Sequence, residues 1–226
     1  MRYTWLLFDA DDTLFDFPRA ETNALKWTLE QAGLPFQPEF FGLYARFNQQ
    51  VWQEFEQGEV TSQELRVKRF RLFFDETHLN GNPQAISPLY LRNLALGTDL
   101  LEGAEHVVRA LKGCYHLALV TNGLKDVQRP RLEGSALSDC FEKVFISEEV
   151  GAAKPSQAYF EAVFRQIGQP PKASILLVGD SLTSDIAGGS AYGIDTCWFN
   201  PEGKARRDGL AITYEIRRLT ELLEIL

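Results

Sequence analysis

The chain has 226 residues, of which 45% are hydrophobic and 24% are charged, and its formal net charge at pH 7 is −8. This composition is that of an ordinary globular protein, and the length suits one large domain or a core domain with an insertion. The acidic balance argues against a nucleic-acid polymer as partner, because such a partner needs a basic surface. No apolar stretch approaches the ~18 residues of a membrane span, the N-terminus does not have the pattern of a signal peptide, and the three cysteines show neither zinc nor disulfide spacing. We therefore expect a cytoplasmic protein without a membrane partner, either a monomer or a small homo-oligomer.

The first predicted strand, Trp5 to Phe8, is a short apolar run that stops abruptly at acidic residues. Such a run is typical of a buried parallel strand, and ligands of open α/β sheets bind beyond the carboxyl ends of the strands. Asp9 and Asp11 are two residues apart, so in extended backbone both side chains leave the same face. Neighbouring carboxylates repel each other unless one is protonated or both share a cation. A solvated acidic turn after an edge strand is the alternative interpretation.

An all-helical stretch of about 80 residues follows, without a strand pattern. The spacing predicts helices over 19–32, 39–57 and 86–96, and the capping-box pattern Thr61-Ser62-Gln63-Glu64 predicts one that continues to about His78. Phe40, Tyr44, Phe47, Val51 and Phe55 recur at spacings of three or four and predict the core stripe of the second helix. Trp52 and Asn48 lie off that stripe.

From Leu100 onward, helices alternate with strands. Strands are predicted over 115–120, 143–146, 174–178, 196–199 and 212–214, with helices over 104–112, 126–133, 156–167, 183–192 and from 218 onward. This alternation calls for a parallel sheet with right-handed crossovers. The predicted fold class is α/β, with a Rossmann-like parallel-sheet core over 1–16 and 98–226. Residues 17–97 form an inserted, all-helical domain.

Polar residues follow four of the predicted strands or their loops: Asp9, Asp11 and Thr13; Thr121 and Asn122; Lys154; and Asp180 with Asp185. Each group has a structural alternative, namely an Asn-Gly turn at Asn122, a solvated lysine at Lys154 and a helix N-cap at Asp180. A doubly wound fold brings all of them to one rim of the sheet, and chance clustering there is much less probable. The set suits phosphoryl transfer: a carboxylate nucleophile, a second carboxyl as general acid and base, oxygen ligands for Mg²⁺, and cationic or amide donors for phosphate oxygens.

The ordered motifs resemble those of the haloacid dehalogenase-like phosphatases: Asp9-Ala10-Asp11-Asp12-Thr13, Thr121-Asn122-Gly123, Lys154-Pro155, and Gly179-Asp180-Ser181 with Asp185. The resemblance covers almost the whole chain and implies a core of that type with the helical insertion acting as a cap that determines substrate specificity. It implies that Asp9 is the nucleophile and Asp11 the general acid and base. Mg²⁺, for which Mn²⁺ can substitute, would be bound by Asp9, the main-chain carbonyl of Asp11, and Asp180. Thr121, Asn122 and Lys154 would hold the phosphate. Asp185 would support Lys154 or a metal-bound water, and Thr13 would be a further supporting residue.

Finer detail is similar to the bacterial pyrimidine 5′-nucleotidases, which act on nucleoside monophosphates such as dUMP, UMP and dTMP. The similarity lies in four places: residues 8–15, residues 146–151, Cys197-Trp198, and Asn48 with Trp52 in the insertion. The last two are the expected substrate contacts. Many family members have glycine where Asp12 stands, which leaves the mechanism intact.

Other functions remain open at this stage. A phosphatase of a sugar phosphate or another small phosphoester fits the same core, as does phosphomutase or phosphonate chemistry, because the insertion decides the substrate. Carbon–halogen hydrolysis needs neither a metal nor an acid for the leaving halide, so Asp11 and Asp180 argue against it. A non-catalytic binding protein is disfavoured by the complete set of acidic residues.

Overall fold

The computed structural model describes residues 2–206 and 208–226, so Met1 and Arg207, which fall within the predicted core, lie outside the described residues. Six parallel strands form one sheet in the order β3-β2-β1-β4-β5-β6. The strands are β1 (Trp5–Phe8), β2 (His116–Thr121), β3 (Lys143–Ile146), β4 (Ile175–Gly179), β5 (Asp195–Phe199) and β6 (Tyr214–Ile216). The predicted α/β fold with a parallel sheet is confirmed.

Both faces of this sheet are covered by apolar side chains, which explains the uninterrupted apolar run of β1. Leu6 and Phe8 belong to one buried cluster, whereas Trp5 and Leu7 belong to another. Successive side chains of a strand point to opposite faces, so a strand buried on both sides needs apolar residues at every position.

Ten α-helices are found in the described residues. They are α1 (Phe17–Gln31), α2 (Phe40–Glu56), α3 (Ser62–Thr77), α4 (Pro83–Ala95), α5 (Ala104–Leu111), α6 (Lys125–Glu133), α7 (Ser147–Val150), α8 (Gln157–Gln166), α9 (Ala187–Tyr192) and α10 (Leu222–Ile225).

The chain divides into two compact units. The core unit comprises Met1–Asp16, Thr98–Lys125 and Leu132–Leu226, and the helical unit comprises Phe17–Gly97 with Asp126–Arg131. Within the core unit, the chain segments at the two ends of the insertion lie side by side, since Asp16 N–H donates to the Asp99 carbonyl (3.0 Å) and Leu101 N–H donates to the Leu14 carbonyl (2.9 Å). An insertion whose ends are adjacent leaves the sheet undisturbed.

Residues 126–131 belong to the helical unit, whereas the predicted boundaries assigned them to the core. Polar contacts account for this grouping. Arg66 Nη2 forms an ion pair with Asp126 Oδ2 at 3.0 Å, and Arg131 Nη2 donates to the Leu94 carbonyl at 3.1 Å. The hydrophobic periodicity of the sequence gives no indication of such long-range contacts. The domain assignment 1–16, 98–226 and 17–97, and the role of the insertion as a cap, stay predictions.

Local signals set the helix ends in the helical unit. The Thr61 side chain accepts a hydrogen bond from Glu64 N–H while the Glu64 carboxylate accepts one from Thr61 N–H, so the predicted capping box is present. Helix α4 begins at Pro83, three residues before the predicted start, because Asn82 caps it and proline suits the first turn.

The prediction was wrong in three further places. The last strand is Tyr214–Ile216 and not 212–214. The predicted helix over 183–192 is a π-helical turn, Leu182–Ile186, followed by α9. The short helix α7 was not anticipated. These elements are too short for periodicity to define, and their ends depend on contacts with the strands beside them.

Among the described residues, no helix is both long enough and apolar enough to cross a membrane.

Candidate active site

The predicted polar residues of the core unit are positioned by neighbouring parallel strands. Asp9 directly follows β1, Thr121 is the last residue of β2, and Asp180 directly follows β4. Strand β1 pairs with both β2 and β4, with Phe8 opposite Leu119 and Val178. The three residues therefore lie at the carboxyl edge of the sheet, where ligands of open α/β sheets bind.

Lys154 is the centre of this arrangement. Its ammonium group donates to Asp9 Oδ1 (2.6 Å), Asp185 Oδ1 (2.6 Å) and the Val120 carbonyl (2.8 Å), and the residue is 1% exposed. An ammonium group has three donors, and all of them are used. Burial on its own lowers the pKa of Lys154, but the Asp185 and Asp9 carboxylates outweigh it and hold this pKa above its usual value. Lys154 is therefore a fixed positive charge beside Asp9.

The Asp9 side chain keeps one oxygen available. Oδ1 accepts the hydrogen bond from Lys154, and Oδ2 makes no hydrogen bond with the described residues. Burial raises the pKa of Asp9 well above its usual value, Lys154 opposes this shift, and the Asp185 and Asp180 carboxylates add to it. Additional positive charge near Asp9 would favour its ionised form.

Asp180 is held by Thr13. The Thr13 hydroxyl donates to Asp180 Oδ1 at 3.3 Å and accepts from Asp180 N–H at 3.1 Å. Burial, followed by repulsion from Asp185 and Asp12, raises the pKa of Asp180 to about 8. A carboxyl group in this environment gains a large stabilisation from a nearby cation.

Oxygen atoms of Asp9, Asp180 and Asp185 all lie within 4.8 Å of one another. Carboxylate oxygens are the ligands that Mg²⁺ prefers, and the mutual repulsion of the three carboxylates is relieved by a divalent cation. The donor set therefore fits Mg²⁺. The Asp11 side chain is not part of this cluster, and its predicted contribution through the main-chain carbonyl stays a prediction.

The loop that carries Asp11 is a tight turn. Leu14 N–H and Phe15 N–H both donate to the Ala10 carbonyl at 2.9 Å, and Asp12 has a φ of 58°. This left-handed conformation favours glycine and is tolerated by aspartate. It supplies a physical reason for the glycine that many family members have at this position.

Both atoms of the Asn122 side-chain amide bond the backbone of Lys154. Its side-chain amide donates to the Lys154 carbonyl and its side-chain oxygen accepts from Lys154 N–H, both at 2.8 Å. Ser147 Oγ in turn donates to the Asn122 carbonyl at 3.1 Å. The Asn122 side chain therefore fixes the backbone of Lys154, and its predicted role in phosphate binding stays a prediction. The Thr121 hydroxyl accepts from Gly123 N–H at 2.9 Å and keeps its own proton to donate.

Two glycines are required by the packing around these side chains. A Cβ on Gly179 would lie 2.4 Å from Asp185 Cγ, and one on Gly188 would lie 2.9 Å from Pro155 Cα. The sequence analysis did not identify this requirement, because a glycine beside a motif gives no indication of which side chain it accommodates.

In the helical unit, the two predicted substrate residues differ in their surroundings. Asn48 is 3% exposed; its amide donates to Glu21 Oε1 (2.7 Å), and its oxygen accepts from Arg69 Nη1 (3.1 Å). It lies on the buried face of α2 with Phe40, Tyr44 and Val51, not off it as predicted. Trp52 is half-buried and packs edge-on against Phe55 at 5.6 Å between ring centroids. Their contact with substrate stays a prediction.

The family model described as haloacid dehalogenase-like hydrolase matches residues 3–193. The chain belongs to this family. It is 34% identical over 226 residues to the pyrimidine 5′-nucleotidase YjjG of Escherichia coli, covering 100% of this chain and 99% of the relative. It is 35% identical over 227 residues to the pyrimidine 5′-nucleotidase PynA of Streptococcus pneumoniae, and the match covers 100% of this chain and 96% of the relative.

Among solved structures, the chain is similar to the magnesium-bound crystal structure of YfnB from Bacillus subtilis. The TM-score is 0.94 and the identity 39%, and the match covers 100% of this chain and 99% of that chain. This likeness extends over both units of the chain, so the helical insertion as well as the sheet is shared with a member of the family.

Proposed function

We propose that this protein is a Mg²⁺-dependent phosphomonoesterase that hydrolyses pyrimidine nucleoside 5′-monophosphates through an aspartyl-phosphate intermediate. The observation that carries the proposal is the pairing of Asp9 with the buried Lys154 at 2.6 Å, beside two further carboxylates. The names of the relatives in Escherichia coli and Streptococcus pneumoniae support the nucleotide as substrate.

In this mechanism, Asp9 Oδ2 attacks phosphorus and the bond from phosphorus to the nucleoside oxygen breaks. Asp11 gives a proton to the departing oxygen and later takes one from the water that attacks the aspartyl phosphate. Lys154 opposes the rise in the pKa of Asp9 and so favours its ionised form, and Thr121 donates to a phosphate oxygen. When bound, Mg²⁺ would be held by Asp9 and Asp180 and would offset the negative charge of the phosphate.

Asp9→Asn tests the nucleophile, with Asp139→Asn as a control on the surface of the core unit. We expect phosphate release to fall by at least about 10³-fold in Asp9→Asn. Asp139, whose side chain is 59% exposed, should tolerate the change. Far-UV circular dichroism checks that both variants fold. Robust residual activity in Asp9→Asn would contradict the proposal.

Substrate and metal are tested together with a panel of phosphoesters. Release of inorganic phosphate is measured from dUMP, UMP, dTMP, purine monophosphates and sugar phosphates, in Mg²⁺, in Mn²⁺ and in EDTA. We expect the highest kcat/KM on pyrimidine monophosphates. Turnover should occur with either Mg²⁺ or Mn²⁺ and should be lost in EDTA. A preference for sugar phosphates would contradict the proposal that a nucleotide is the substrate, but it would agree with the proposed phosphoester hydrolysis. Chloride release from a 2-haloacid in EDTA would favour a dehalogenase instead.

A further inference from the structure

Trp198 contacts the candidate metal site although it carries no ionisable group. It lies in β5, is 1% exposed, and is paired in register with Gly179, the last residue of β4. Its indole Nε1–H donates to the main-chain carbonyl of Asp180 at 2.9 Å. A buried indole N–H needs an acceptor, and here that acceptor belongs to a predicted metal ligand.

The peptide group between Asp180 and Ser181 is thereby held at both of its polar atoms. Its carbonyl accepts from Trp198, and its N–H donates to Asp185 Oδ2 at 3.2 Å. This peptide lies just beyond the end of β4, where the hydrogen bonds of the sheet no longer fix the backbone. The orientation of one peptide plane therefore affects two of the three clustered carboxylates.

Thr13, in the turn after β1, also bonds Asp180. Its hydroxyl bonds both the N–H and the Oδ1 of Asp180. With Trp198 on the carbonyl, Asp180 is fixed at three of its polar atoms. Its Oδ2 takes no part in these three contacts.

We propose that Trp198 is a positioning residue of the metal site, which sets the affinity for Mg²⁺ by fixing the Asp180–Ser181 peptide. This inference rests on the proposed function in that Asp180 is taken as a metal ligand. Groups that orient metal ligands typically contribute about 10–100-fold to metal affinity. A residue that only fills the core would affect the stability of the fold and leave metal affinity unchanged.

Trp198→Phe removes the N–H donor and keeps an aromatic ring. The matched control is Trp5→Phe in strand β1 of the same sheet, where the indole is also buried and stacks on His116 at 4.9 Å. Isothermal titration with MgCl₂ in the absence of substrate gives the dissociation constants, and thermal unfolding gives the stabilities. We expect Mg²⁺ to bind Trp198→Phe about 10–100-fold more weakly and Trp5→Phe as tightly as the unaltered chain. Equal constants for Trp198→Phe and the unaltered chain would overturn the inference.

The indole N–H resonances of the unaltered chain provide a second measurement that needs no variant of Trp198 to fold. The chain has four tryptophans, and Trp→Phe changes at the other three assign the Trp198 signal. We expect this signal to shift as Mg²⁺ is added while that of Trp5 stays in place. A Trp198 signal unchanged at saturating Mg²⁺ would overturn the inference and leave the proposed hydrolysis intact. An unaltered chain that binds no Mg²⁺ would overturn both.

Discussion

Replacing Lys154 by methionine tests how much of the stability depends on the buried charge at the candidate site. Methionine is unbranched and of similar length but donates no hydrogen bond, so Asp9 Oδ1, Asp185 Oδ1 and the Val120 carbonyl would lose their common donor. Removing one partner of a buried ion pair costs about 3–5 kcal/mol. We expect the free energy of unfolding at pH 8, without Mg²⁺, to fall by about that amount.

The loss of folding stability in Lys154→Met should depend on pH in a defined direction. Without Lys154, burial and mutual repulsion raise the pKa of the Asp9 carboxyl above its unfolded value still further. A group with a raised pKa binds more protons in the folded state, so its destabilising effect appears as pH rises above the unfolded pKa and disappears as pH falls towards it. The deficit of Lys154→Met should therefore be smaller at pH 5 than at pH 8.

Urea denaturation followed by circular dichroism measures these differences, and Lys112→Met is the matched control. Lys112 Nζ lies 2.6 Å from Asp139 Oδ2, the same distance as in the Lys154 pairs, but the two side chains are 42% and 59% exposed. Exposed pairs contribute about 0–1 kcal/mol. Equal losses of stability in the two variants, or a loss in Lys154→Met that does not change with pH, would refute the reasoning from burial.

Three local predictions can be checked by the same urea denaturation. Gly179→Ala should cost about 1–3 kcal/mol, because the added Cβ meets Asp185 at 2.4 Å, whereas Gly42→Ala, with nothing within 4 Å, should cost nothing. Asp12→Val should be less stable than Asp12→Gly by about 1–2 kcal/mol, because φ at this position is 58°. Thr61→Ala should cost about 1 kcal/mol, since it removes the N-cap of α3; no measurable change would contradict the capping assignment.

The architecture could be predicted from the sequence because its signals are local. The apolar run Trp5–Phe8 is a strand buried on both faces, and Thr61 with Glu64 begins a helix by bonding only its own backbone. These features depend on residues within a few positions of each other. The acidic residues are also recognised locally, because each follows a predicted strand directly in the sequence. Their place at the carboxyl edge of the sheet then follows from the parallel topology.

The contacts of the site depend on residues far apart in the sequence, and only the tertiary structure decides them. Nothing near Asn122 indicates that its amide holds the backbone of Lys154, 32 positions away. The pattern of α2 placed Asn48 off the buried face, but the partly buried Glu21 and the buried Arg69 both bond its side-chain amide.

Periodicity measures average hydrophobicity and does not register a polar side chain whose hydrogen bonds make burial favourable. The sequence by itself therefore determined the family, the order in which the motifs follow one another along the chain, and the residue types of the site. The tertiary structure decided which of those residues are bonded to one another, because hydrogen-bond partners are selected by proximity in space and not by spacing along the chain.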